Sequence, residues 1–120
     1  MTESSYKQAN NATRIALSMG YNVFSPITHS HPLTEDPDIE IPHDWSFWRN
    51  IDIQFLDWAD EMWILVPEEG IEKVLDSVGV TEESIYATDR GIPVRYFYAV
   101  GKQLIETHLD EFFIQEGFTD

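Results

Sequence analysis

Residues Asp76–Tyr96 read DSVGVTEESIYATDRGIPVRY, and how this stretch is read decides the fold. Ser77 and Gly79 lie in a loop, a helical pattern carries Glu82 and Glu83 over about Thr81–Arg90, and Gly91-Ile92-Pro93 returns the chain to a β-type run at Val94–Tyr98. The stretch is a loop, a helix start carrying a carboxylate, and a return to a strand. Upstream, Met62-Trp63-Ile64-Leu65-Val66 is a continuous apolar run of the kind that builds a central parallel strand buried on both faces. A carboxylate in the first turn of a helix is stabilised by the free backbone N–H groups and the helix dipole. Ordinary helices start with Glu for the same reason, so a capping role stands beside a catalytic one. Val80, Glu83, Ala87 and Arg90 share one side of the helix, which makes Glu83 rather than Glu82 the candidate for chemistry.

Working outward, Pro67–Gly70 ends the apolar run and Ile71–Leu75 has room for one helical turn. Before the run, Asp44 reads as the N-cap of a helix reaching about Ala59. Trp48, Asp52, Phe55, Leu56 and Ala59 fall on one face of it. A carboxylate inside an apolar stripe must be paired, hydrogen-bonded or functional, so Asp52 is a second candidate. The plain alternative is that Asp52 sits at the stripe edge or pairs with Arg49.

Residues 27–44, ITHSHPLTEDPDIEIPHD, carry three prolines and four acids before His43 and read as a long loop. His29 and His31 in it are candidates for substrate contact at the carboxyl end of a strand. His29, His31 and His43 could also ligate a metal, but His-x-His alone is a weak signal, and no metal or other cofactor is expected. The bland reading is a solvated loop. Residues 4–19 read as a helix, stopped by Gly20, with Tyr21–Phe24 as a short strand after it. At the other end, Leu104, Ile105, Leu109, Phe112 and Phe113 predict a final helix over Lys102–Gln115. The order helix, strand, helix, strand, helix, strand, helix argues a mostly parallel sheet covered on both sides, a flavodoxin-like or Rossmann-like three-layer α/β sandwich.

The length, 120 residues, fits one domain. Without cysteine there is no disulfide, zinc-thiolate site or Cys nucleophile, which fits a cytoplasmic protein. The start, MTESSYKQ, has no signal-peptide pattern, and no apolar run approaches the roughly 18 residues needed to span a bilayer. With 22 acids against 7 bases the net charge is −15, which repels nucleic-acid polymers and leaves single nucleotides as ligands, since a local nest of amides can override the global field. There is no GxGxxG and no Walker A sequence.

Three blocks together resemble the nucleoside 2-deoxyribosyltransferase-like superfamily and, within it, the small DUF1937-type proteins. They are Val23-Phe24-Ser25-Pro26-Ile27 with His29-Ser30-His31-Pro32; His43-Asp44-Trp45, Phe47-Trp48 and Asp52, followed by Asp60–Leu65; and Ser77–Val80 with Glu83, Ala87 and Gly91–Val94. The resemblance covers about residues 5–98 and leaves 99–120 as a helical extension. It implies that Glu83 is the nucleophile of an N-glycosidic bond enzyme. Glu83 would attack the anomeric carbon, the base would leave, and water or a second base would resolve the glycosyl ester, as at a retaining glycosidase carboxylate. Asp52 matches a helical aspartate that positions the sugar or handles a proton. Ser77, with the amide of Gly79, matches the contact to a 5′-phosphate, so a nucleoside 5′-monophosphate or nucleoside is the implied substrate. His29, His31, Trp45 and Trp48 lie in the matching blocks and are expected to line the substrate pocket.

The family's opening strand and its Gly/Pro loop have no counterpart here, so the sheet is expected to lack its first strand unless one is encoded upstream. Relatives of this kind pair so that a neighbouring chain completes the pocket. With Trp45, Phe47, Trp48, Trp58, Phe112, Phe113 and Phe118 to accommodate, a homodimer or higher oligomer is expected. Two other readings stand beside the enzyme: a non-catalytic nucleotide-binding or regulatory protein on the same fold, and an acidic module that binds a basic protein.

Overall fold

The computed structural model describes residues 3–35 and 37–108. The chain divides into two compact units, Met1–Trp58 and Ala59–Asp120. The fold is mixed α/β, with five helices and a small open three-stranded sheet among the described residues. No helix of these residues is long and apolar enough to cross a membrane.

The first unit holds α1 (Glu3–Ser18), α2 (Pro26–Leu33) and α3 (Trp45–Trp58). Gly20, at φ 95°, ends α1. The amides of Gly20 and Tyr21 turn back to the carbonyls of Leu17 and Ala16, at 3.0 and 3.2 Å, which is the Schellman pair of bonds that needs a left-handed residue. The strand expected at Tyr21–Phe24 does not form. Tyr21 is committed to the helix terminus, Tyr21 and Val23 are exposed, and Ser25 already caps the next helix. β-propensity needs a neighbouring strand to pair with, and no strand among the described residues pairs with this segment.

The loop expected over residues 27–44 is likewise corrected in its first part, because α2 occupies it. Ser25 accepts from the amide of Thr28, and Pro26 stands at the start of the helix, where its missing N–H costs nothing. Pro32 lies inside the helix, which ends at Leu33 with Thr34 as its C-cap. In α3 the buried positions are Trp48, Asp52 and Leu56, a spacing of four that holds one face inward, while Phe55 stays exposed.

The second unit runs β1 (Met62–Leu65), α4 (Ile71–Leu75), α5 (Val78–Asp89), β2 (Val94–Val100) and β3 (Gln103–Thr107). β1 and β2 pair in parallel, Met62 opposite Val94 through Leu65 opposite Phe97. The side chains of Ile64, Val66, Ile71 and Val74 form the core, with Met62, Val80, Val94 and Tyr96 packed on it. Ile71 is 1% exposed, which fixes α4 as the element that closes this core. The unit Asp76–Tyr96 therefore behaves as read, with one adjustment. The helix begins at Val78, not Thr81, because Ser77 caps it. Glu83 then falls in the second turn rather than the first, beyond the amides that an initial carboxylate would meet.

The final helix expected over Lys102–Gln115 is not present at its start. Residues 103–107 form β3, antiparallel to β2, with Val100 opposite Gln103. Gly101, at φ 59°, and Lys102 make the two-residue turn. A positive φ at the first turn residue alone is the type II′ hairpin pattern, whose twist suits the flanking strands. Residues 109–115, including Leu109, Phe112 and Phe113, lie outside the described residues. The sheet order is β1-β2-β3, with one parallel and one antiparallel pairing.

Candidate functional site

Asp52 is the most unusual side chain of the first unit. It is 6% exposed, and its Oδ1 has no hydrogen-bond partner. Burial disfavours the charged form and lifts its pKa from 3.8 to about 6, against a smaller opposing pull from the His29 imidazole. The sequence places it there by spacing alone, since Trp48 and Leu56 at i−4 and i+4 must face inward and carry Asp52 with them.

Aromatic rings of this unit pack on one another across neighbouring elements. The Phe24 and Phe55 rings stack with centroids 3.9 Å apart, Phe24 lies 5.5 Å from His29, and His29 meets the edge of Trp48 at 6.1 Å. Trp48 is buried, and its indole N–H donates to the carbonyl of Pro42 at 2.8 Å, which fixes the ring. Phe47 packs edge-on to Trp48 at 5.2 Å. Trp45 is half-buried at the start of α3. His29, Trp48 and Asp52 are thus brought together, as three of the residues singled out by sequence.

His31 is not part of that group. Its Nε2 lies 3.1 Å from Glu3 Oε2 and 2.9 Å from Glu35 Oε1, and its ring stacks on Tyr6 at 4.4 Å. Neither Glu3 nor Glu35 stood out in the sequence. Glu35 follows His31 at i+4, a helical spacing masked by the proline-rich composition, and Glu3 lies 28 residues away with no local signal.

The remaining candidates sit on the second unit. Ser77 is the N-cap of α5, accepting from the amide of Val80 at 3.2 Å, and Gly79 is in the first turn. The hydroxyl proton of Ser77 is still available to an acceptor, since the cap uses only its oxygen lone pair. Leu75, Asp76, Ser77, Val78, Thr81 and Glu82 line an open depression of about 300 Å³. Its lining carboxylates are Asp76 and Glu82, and Glu83 is not on its wall. Glu83 is half-buried on the side of α5 that carries Val80 and the fully buried Ala87.

The second unit carries a mixed three-stranded sheet with two helices, and the first unit carries a buried carboxyl at Asp52. The chain belongs to the DUF1937 family, described as a domain of unknown function, whose model matches residues 1–99. No curated protein and no solved structure matches the chain.

Proposed function

We propose that this protein cleaves the N-glycosidic bond of a nucleoside 5′-monophosphate or nucleoside, on a flavodoxin-like relative of the nucleoside 2-deoxyribosyltransferase fold. The observation that carries the reading is Asp52, a buried carboxyl with one oxygen unpartnered and a pKa lifted to about 6, in the same unit as the stacked Phe24–Phe55 pair and the His29–Trp48 contact. A carboxyl that holds its proton to near-neutral pH is what a general acid needs when a base must leave protonated. Aromatic faces accept a base by stacking, whatever its sequence of ring substituents.

In the proposed reaction the Glu83 carboxylate attacks the anomeric carbon. The bond to the base nitrogen breaks, and the base departs with the bonding pair and a proton. Water then adds to the anomeric carbon of the glycosyl ester and releases the sugar and the Glu83 carboxylate. Asp52 is assigned the proton. Ser77 and the Gly79 amide are assigned the 5′-phosphate, which a helix N-terminus favours. The exposed Trp58, at 83%, supports self-association, to be checked by sedimentation.

A second reading, nucleotide binding without turnover, is favoured by one observation: Glu83 does not line the depression beside Ser77. The two readings separate in a base-release assay on a panel of ribo- and deoxyribonucleoside 5′-monophosphates and the matching nucleosides. Release that falls to background in Glu83→Gln and by about 10²-fold in Asp52→Asn supports the enzyme, the latter at the low end of general acid–base contributions. No release by the wild-type protein, with nucleotide affinity intact in Glu83→Gln, replaces the enzyme with the binder.

A further inference from the structure

Outside the proposed site, one cluster brings three potential metal ligands to a point. Nε2 of His31 lies 3.1 Å from Glu3 Oε2 and 2.9 Å from Glu35 Oε1. One ligand atom from each of the three side chains lies within 4.8 Å of the other two. We propose that Glu3, His31 and Glu35 form a binding site for a divalent transition ion of the zinc class, joining the first turn of α1 to the end of α2.

The argument starts from charge. A single imidazole nitrogen carries either one proton or one lone pair. With a lone pair it faces two carboxylate oxygens and is repelled by both. With one proton it must divide that proton between two acceptors on different elements. A divalent cation resolves the conflict, because it accepts the nitrogen lone pair and one oxygen from each carboxylate. Bonds of about 2.0–2.1 Å to imidazole and carboxylate, set tetrahedrally, separate neighbouring ligand atoms by about 3.3–3.4 Å. The two distances seen here, 3.1 and 2.9 Å, need only small side-chain adjustments to reach that spacing.

The imidazole is the organised member of the set. Its side chain is only 12% exposed, and Tyr6, one turn beyond Glu3 on α1, stacks on its ring at 4.4 Å. The carboxylates are 63% and 59% exposed, so they can close on an ion without a change of backbone. Three protein ligands leave a fourth position for water or a ligand group. Imidazole with carboxylates suits zinc and its neighbours, whereas an all-oxygen set would suit magnesium or calcium. The site is independent of the proposed glycosidic chemistry, since it uses neither Glu83 nor Asp52.

The test titrates the full chain with Co²⁺ and follows its visible d–d bands, then displaces Co²⁺ with Zn²⁺. The expected result is one Co²⁺ per chain, displaced by Zn²⁺ but not by the same concentration of Mg²⁺. Binding should weaken at least about tenfold in Glu35→Gln and in His31→Gln, since loss of even an outer partner of a metal ligand typically costs that much. Glu35 is exposed, so Glu35→Gln keeps its fold, and circular dichroism checks the fold of His31→Gln. Equal Co²⁺ binding in the wild type and both variants, or displacement by Mg²⁺ as readily as by Zn²⁺, overturns the proposal and leaves a diffuse attraction to an acidic surface. Absence of Co²⁺ binding overturns it too and leaves His31 as an ion-pair centre.

Discussion

Arg95 holds Glu106 by two parallel hydrogen bonds, Nε to Oε2 at 2.8 Å and Nη2 to Oε1 at 2.7 Å. Its third nitrogen, Nη1, donates to Glu61 at 2.7 Å, and Glu61 also accepts from the Trp63 indole N–H at 2.7 Å. The guanidinium lies over the rings of Trp63 and Phe97, at 5.5 and 5.2 Å from their centres. One side chain of the central strand thus ties β3 to the residue that precedes β1. Lysine keeps the charge but loses the planar fork. Arg95→Lys is expected to speed amide hydrogen exchange over residues 103–107, and Arg95→Ala to speed it further. The hydrogen bonds of Arg95 hold Glu106 below the ordinary carboxylate range, and the Trp63 indole, with Arg95, does the same for Glu61. Depressed folded pKa values give stability that is present above the ordinary glutamate value of 4.5 and is lost as pH falls through the folded ones. The gap in stability between wild type and Arg95→Ala should therefore narrow in acid. A gap constant down to the acid transition would show that the fork contributes nothing.

Asp52 titrates in the opposite sense. Its folded pKa, about 6, lies above the ordinary 3.8, so between these values the folded state binds more protons than the unfolded state. Stability attributable to this residue falls as pH rises through that window. At about 1.4 kcal/mol per pKa unit the shift sets an upper bound of roughly 3 kcal/mol at pH 7, lowered by solvent screening of the carboxyl. Asp52→Asn removes the charge while keeping the shape. It is expected to be more stable than the wild type at pH 7 by less than that figure, the difference vanishing as pH falls below the ordinary value of 3.8. Urea denaturation at neutral and at acid pH measures the difference. Equal stability at both would mean that the carboxylate is solvated.

Gly101 carries the hairpin turn at φ 59°, and a Cβ added there would meet nothing within 4 Å. The cost of Gly101→Ala is therefore backbone strain alone, about 1–3 kcal/mol for a residue with a side chain held at this positive φ. Lys102→Ala, in the same turn, should cost little. Parallel urea titrations of the two variants read the contrast.

Ser77→Ala removes the N-cap of α5, and about 1 kcal/mol of stability should go with it. Ser77→Asp retains a capping oxygen but adds a negative charge where the phosphate is assigned. It should keep its melting temperature while losing preference for monophosphates over nucleosides. Equal losses of nucleoside and monophosphate binding would remove Ser77 from the phosphate contact.

Much of this was legible in the sequence, and the misses have physical causes. α1 and α3 announce themselves by spacing, and β1 by a run of apolar residues long enough for a strand and too short for a helix. α2 is hidden because prolines usually break helices; Pro26 stands in the first turn, where its missing N–H costs nothing, while Pro32 lies inside the helix against that rule. Ser25-Pro26 was the available signal. The apolar residues at 104, 105, 109, 112 and 113 predict a helix where β3 forms, and the Gly101-Lys102 turn before Gln103 outweighs that pattern over residues 103–107. Asp52 could be picked out as an acid on an apolar stripe, but only the structure reveals the bare Oδ1. No local pattern could have joined His31 to Glu3.

The two-residue turn has one more consequence. Strand side chains alternate faces with a period of two, so Glu106 meets Arg95 only because the count of residues from Gly101 to Glu106 has the parity it has. This hairpin can accept many exchanges of one residue for another and hardly any change of length. A single residue inserted between 103 and 106 would carry Glu106 to the face of Tyr96 and leave Arg95 facing whatever follows. Within this segment, sequences that still fold should differ by substitution, with gains and losses of residues displaced to the loops on either side of the sheet.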